Sequence, residues 1–167
     1  MCRLAGADGF RLGRTDGVGR ILGLDVGERR IGVAISDPEG RLAVPLRILE
    51  RRDEAADLEA IADLARSEGV DALVVGYPIS LSGEAGPQAR RVQAFAHQLA
   101  DASGLPTELQ DERLTSVQAE RASGPSRAAR GRRGARRRRA PADDLAATII
   151  LQSYLDRRRS HESSTDP

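Results

Sequence analysis

Short apolar runs of strand length alternate along the chain with longer segments of helical spacing, and the first switch between the two patterns falls after Arg51. Ile21-Leu22-Gly23-Leu24 and Ile31-Gly32-Val33-Ala34-Ile35 flank a short, charged, Gly-containing connection, which is the signature of a β-hairpin. A third run, Leu42 to Leu49, follows the Pro38-Glu39-Gly40 turn and completes an antiparallel meander. From Asp53 to Ser67, Ala56, Leu58, Ile61, Ala62, Leu64 and Ala65 recur at helical spacing. Asp71 to Gly76 is apolar on both faces, as a buried parallel strand requires. Glu84 to Ser103 predicts a second helix with Val92, Phe95, Ala96 and Leu99 on one stripe. Thr107 to Gln110 then reads as a strand, and Ser116 to Ala122 as a short helix. A final helix is predicted from Asp143 to about Arg158, with Pro141 near its start.

Three sequential antiparallel strands followed by two helix-linked parallel strands match the ribonuclease-H-like fold best: a mixed five-stranded sheet with helices on both faces. A length of 167 residues suits one domain, expected over residues 20–158. Residues 1–19, rich in Gly and without a sustained period, read as a flexible extension, and residues 159–167 as a flexible tail. The composition, 40% hydrophobic and 31% charged, supplies a core and excludes a wholly disordered chain. No apolar run reaches the roughly 18 residues of a membrane span, so a soluble, cytoplasmic protein is expected. The lone Cys2 excludes an internal disulfide and a Cys-based zinc site.

Three acidic positions carry the candidate chemistry. Asp25 stands inside the apolar strand Ile21 to Gly27, where burying an uncompensated carboxylate costs several kcal/mol. Two roles fit it: a strand-end Asp bonded to backbone N–H groups of the hairpin turn, or a metal-binding carboxylate at the centre of the sheet. Glu112 follows another strand, in Asp111-Glu112-Arg113, and the parallel crossovers bring that strand end to the same sheet edge as Asp25. Arg113 is a candidate neutralising partner for either acid. Asp143-Asp144 opens the final helix, whose following residues are apolar on most sides, and one of these two acids is expected to serve only as a cap. Carboxylates without His or Cys suit hard cations, Mg²⁺ or Mn²⁺, and such a cluster supports phosphodiester hydrolysis. His97 and His161 fall on an exposed helix face and in the tail, neither in a ligand-like setting.

Charge is distributed unevenly. The net charge is +1, and all 26 basic residues are Arg, which fits a coding bias. Eight of them lie between Arg127 and Arg139 with no acid among them, so the rest of the chain is net acidic. A cationic run directly before Asp143, including Arg136, Arg137, Arg138 and Arg139, is suited to phosphate neutralisation beside a metal site. With Phe10, Tyr77, Phe95 and Tyr154 as the only aromatics, recognition by backbone shape is favoured over base stacking.

The stretches ILGLDVGERRIGVAISD, VVGYPISLSGEAGPQARRVQAFAHQLA, DERLTSVQAE and DDLAATIILQSYL resemble, in order and spacing, four blocks of the YqgF (RuvX-like) family. Members of that family are described as Holliday-junction resolvases and as nucleases maturing the 5′ end of 16S ribosomal RNA. The resemblance implies a ribonuclease-H-like fold and places the catalytic, metal-binding acids on Asp25, Glu112 and Asp143, with Asp143 selected over Asp144 by the apolar run that follows. Arg113 and Arg136 to Arg139 are then the expected nucleic-acid contacts. The chain departs from the family pattern at Tyr77-Pro78, Ser80 and Ser82, where an Asn and an Asp are common, and in the Arg run itself.

The expected function is metal-dependent endonucleolytic cleavage in maturation of precursor 16S rRNA, by a monomer or homodimer without a membrane partner. The alternatives are cleavage of branched DNA at a Holliday junction and a noncatalytic nucleic-acid-binding module of the same fold. Asp25-Val26-Gly27 also resembles the first phosphate loop of actin-like sugar kinases, but a second such loop and a second domain are missing from the sequence.

Overall fold

The computed structural model describes residues 19–80, 82–113 and 142–162. Among them, strands β1 (Arg20–Val26), β2 (Arg30–Ser36), β3 (Ala43–Glu50), β4 (Val70–Tyr77) and β5 (Thr107–Asp111) form one sheet in the order β3-β2-β1-β4-β5. The β1–β2 and β2–β3 pairs are antiparallel, and the β1–β4 and β4–β5 pairs are parallel. This is the ribonuclease-H-like arrangement expected from the order of elements. The expected helix at Ser116 to Ala122 and the Arg run 127–139 lie outside the described residues.

Helices α1 (Glu54–Ser67) and α2 (Pro87–Ser103) cover one face of the sheet, and α3 (Ala142–Glu162) covers the other. The alternation of β1 divides the core in two. Leu22, Leu24 and Val26 pack with Leu58, Ile61, Phe95 and Leu99, whereas Ile21 packs with Val74, Ile150 and Leu151 on the α3 side. No helix of the described residues is long and apolar enough to cross a membrane.

Two helix boundaries differ from the sequence reading. Helix α2 begins at Pro87, not Glu84, because Ser80 is tied back to Gly83 and Glu84: the Ser80 N–H donates to the Glu84 carbonyl at 3.2 Å and the Gly83 N–H to the Ser80 carbonyl at 2.8 Å. Pro87, with its fixed φ and no N–H to orphan, then starts the helix. Helix α3 continues past Arg158 to Glu162, its last turn carrying Arg159 and His161 where the helix dipole favours positive charge. Arg159 also pairs with Asp156 one turn back.

Gly23 sets how closely α3 approaches. A Cβ there would stand 2.6 Å from the Leu151 Cβ and 3.3 Å from the Ala147 carbonyl oxygen, so only a glycine admits the helix at this depth. Farther along, Ile150 reaches Gly76, and the Tyr154 hydroxyl donates to Glu108 Oε1 at 3.0 Å. Gly76 is nearer the C-terminal end of its strand than the residue paired with Glu108, so α3 runs antiparallel to β4 and β5. Its first turn therefore lies at the edge of the sheet where the parallel strands end.

Candidate active site

The same alternation that buries Leu22, Leu24 and Val26 under α1 and α2 turns Asp25 to the α3 face. Asp25 is paired with Gly32 on β2 and, one step beyond the Leu24–Val75 pair, is level with Gly76 on β4. Glycines thus flank the carboxylate on both neighbouring strands, and no side chain from either separates it from what lies beyond.

What lies beyond Gly76 is Glu112. On β5, Glu108 reaches Tyr154 of α3, so by alternation Gln110 shares the α3 face. Glu112 follows directly on the strand, its N–H donating to the Tyr77 carbonyl at 3.2 Å. Its Oε1 lies 2.6 Å from the position of a Cβ on Gly76, beside Ile150 Cδ1 at 2.5 Å. The two acids expected from sequence to converge do so, across a strand that contributes no side chain between them.

Burial, then the negative charge of Asp25, then that of Asp111, raise the Glu112 carboxyl to about 7. Near neutral pH this carboxyl is therefore divided between its protonated and ionised forms, which is how two neighbouring carboxylates relieve repulsion in a partly desolvated site. Arg113, expected to neutralise Asp25 or Glu112, is instead bound to Asp111. Its Nε and Nη2 donate to both oxygens of that residue, at 2.6 to 3.1 Å, and this interaction holds the Asp111 carboxyl below its ordinary range.

Asp143 lies in the first turn of α3, one turn before Ala147, at the edge toward which Asp25 and Glu112 point. Its side chain, like that of Asp144, lies outside the described residues. Among the described residues no group of three His, Cys, Asp or Glu side chains stands together as a metal site. The described pair nevertheless suits a hard cation: both donors are carboxylates, and Gln110 on the same face is buried with its Oε1 lacking a hydrogen-bond partner among the described residues.

The open side of Asp25 gives onto a cleft of about 280 Å³ bounded by Glu28, Arg29 and Arg30 of the β1–β2 turn. The sequence reading did not single out Arg29 and Arg30. Their signal was present, because a two-residue cationic step where the hairpin turns back, four and five residues after a strand-borne Asp, is placed beside that Asp.

A mixed sheet of three antiparallel and two parallel strands, with carboxylates converging from the ends of β1 and β5, defines a ribonuclease-H-like nuclease. The chain belongs to the RuvX family, described as Holliday junction resolvases, whose model it matches over residues 19–157. It is 51% identical over 138 residues to a protein of Moorella thermoacetica named as a candidate pre-16S rRNA nuclease, covering 83% of this chain and 95% of that one. A protein of the same name from Chloroflexus aurantiacus is 48% identical over 144 residues, covering 84% and 89%. The fold is similar to that of T. thermophilus RuvC in complex with a Holliday junction substrate, with a TM-score of 0.55 at 14% identity, over 85% of this chain and 96% of that one.

Proposed function

We propose that the chain is a divalent-cation-dependent endonuclease acting in the cytoplasm on precursor 16S rRNA at its 5′ end. The observation that carries this reading is the reach of Glu112 across Gly76 toward Asp25, which builds a paired-carboxylate centre from the ends of β1 and β5. The names of the relatives from Moorella and Chloroflexus support the choice of substrate.

Asp25 and Glu112, with Asp143 from the first turn of α3, would hold Mg²⁺ or Mn²⁺. When bound, such a cation supplies charge stabilisation at the phosphoryl oxygens and lowers the cost of activating water. The residues of the chain do the rest. Arg29 and Arg30 border the cleft next to Asp25 and would neutralise the substrate phosphates entering it. Ile150, packed against Gly76 beside Glu112, keeps the inner side of the carboxylate pair dry and so strengthens its electrostatics. The Asp111–Arg113 pair fixes the segment that carries Glu112. Arg113 and the run Arg136 to Arg139 would add contacts to the nucleic-acid backbone.

The test is a side-by-side cleavage assay on a precursor 16S fragment and on a four-way DNA junction with Mg²⁺ or Mn²⁺, using the wild type and Asp25→Asn. Cation-dependent cutting of the RNA, lost in Asp25→Asn, is the expected result. Cutting confined to the junction would make the protein a resolvase, the reading the family description favours. Tight binding without cutting of either substrate would reduce it to a binding module.

A further inference from the structure

On the opposite face of β1, one residue beyond Asp25, Val26 opens into a second cleft of about 400 Å³, within the size range of small-ligand sites. It lies between the β1–β2 turn, the segment after β3 and the first turns of α2. Its floor is apolar, made of the buried side chains of Val26, Val92 and Phe95. Arg51 lies over the Phe95 ring, its guanidinium carbon 5.6 Å from the ring centroid. That guanidinium is held in place: Nε donates to Asp57 Oδ2 at 2.9 Å and Nη1 to the Gly27 carbonyl at 3.1 Å. A fixed guanidinium is a planar surface on which a base can stack without a further loss of side-chain entropy.

The rim argues against an anionic occupant. Arg51 is already balanced by the buried Asp57, and the exposed rim carries Glu28 and Glu54 against Arg91. A phosphate would meet a net negative opening. A flat, uncharged group rich in donors would instead find an apolar floor, a cationic plane, the Gln88 amide and two carboxylates.

We infer that this cleft receives the base of a nucleotide next to the scissile phosphate, turned out of the stack around the β1–β2 turn, with Arg51 as its stacking surface and Gln88 and Glu54 reading its edge. The inference rests on the proposed nuclease reading and adds a sequence preference to it. Asp25 and Val26 are consecutive on one strand and so face opposite sides of the sheet, and Gly27, which follows, puts no side chain between the two clefts. Carboxylates only accept hydrogen bonds, so the rim favours bases bearing an exocyclic amino group, adenine, cytosine or guanine, over uracil.

The experiment measures kcat/KM on precursor RNA fragments in which each nucleotide flanking the cut is made abasic in turn. Loss of one particular base should lower kcat/KM about tenfold, a typical worth of one stacked base, and uracil at that position should lower it in the same direction. Gln88→Ala and Ala94→Trp, both at exposed positions of α2 bordering the cleft, should reduce cutting of intact RNA by a similar factor and leave the abasic substrate unchanged. Equal cutting of every abasic fragment, or a full base preference in Ala94→Trp, would overturn the base site while the nuclease reading stands. If the wild type cuts neither RNA nor DNA, the nuclease reading fails, and fluorescence anisotropy on the same uncut fragments decides the cleft separately. There, the abasic position and Ala94→Trp must each weaken binding, and non-additively when combined, or the inference falls as well.

Discussion

The Glu112 carboxylate takes the place that a side chain on Gly76 would fill: its Oε1 lies 2.6 Å from where a Cβ on Gly76 would stand. Because Gly76 is level with Asp25 on the adjacent strand, the glycine is what allows an acid two strands away to act on Asp25. The site is therefore built as much by a missing side chain as by the two that are present.

Gly76→Ala tests this arrangement. The added methyl would meet Glu112 Oε1 and Ile150 Cδ1, both far ends of side chains that can turn aside. The expected stability loss is about 1 kcal/mol, at the low end for overpacking, whereas cleavage should fall by about 10- to 100-fold as Glu112 is displaced. Gly23→Ala is the matched control. Its methyl would press on the Leu151 Cβ and the Ala147 carbonyl, which cannot swing away, so it should cost more stability, about 2–3 kcal/mol. Urea unfolding with parallel rate measurements checks both, and a Gly76→Ala protein with full activity would contradict the assignment.

The Glu112 carboxyl gives a pH dependence of defined sign. Its folded value, about 7, lies above the ordinary 4.5, so the folded state holds the proton more tightly than the unfolded chain. Its contribution is most favourable to folding below pH 4.5 and is lost as pH rises toward 7, a slope opposite to that of a salt-bridged carboxylate. In cation-free buffer, Glu112→Gln should match the wild type in stability near the ordinary carboxylate value of 4.5 and exceed it about one unit above the folded value of about 7. Urea midpoints at the two pH values measure the difference, and a wild type that gains on Glu112→Gln as pH rises would reverse the sign.

Cation binding should couple to the same proton. A divalent ion held by Asp25 and Glu112 must displace the proton that Glu112 retains near neutrality, so binding strengthens as pH rises through about 7. Mg²⁺ or Mn²⁺ should therefore raise the wild-type melting temperature more at about pH 8 than at about pH 6, and at both values more than that of Asp25→Asn. Equal shifts in the two proteins would move the ion elsewhere.

Strand order and the convergence of Asp25 and Glu112 were legible in the sequence because both follow from period-two runs and from the handedness of parallel crossovers. The partner of Arg113 was not. Sequence reasoning weighed it against Asp25 and Glu112, but the chain turns as it leaves β5, and the Arg113 N–H donates to Asp111 Oδ1 at 2.9 Å, which brings its guanidinium back onto the same carboxylate. The roles of Gly76 and of the cleft beneath Arg51 were also hidden, since each depends on which elements meet across the sheet. Pro87 marked the true start of α2, because the residues at helical spacing, Val92, Phe95, Ala96 and Leu99, all follow it.

The Arg run before α3 gives the last prediction, argued from sequence and from the position of Asp143 in the first turn of that helix. The run has no apolar face, and eight positive charges without an acid among them repel one another, so it is better suited to a polyanion than to packing within the fold. Replacing Arg136 to Arg139 by Ser should leave the melting temperature nearly unchanged, the outcome expected of a run that serves a polyanion. Binding should suffer instead. Each phosphate that is no longer neutralised lowers the slope of log affinity against log salt by about 0.7 to 0.9, so removing four guanidinium groups flattens it by about 3 units. The effect should be similar for RNA and DNA, because interactions with the backbone carry no sequence information, and it should leave untouched the base preference assigned to the cleft beneath Arg51. Affinity titrations across a salt series, on both nucleic acids, provide the measurement. An unchanged slope accompanied by a large fall in melting temperature would show that the run is part of the folded core.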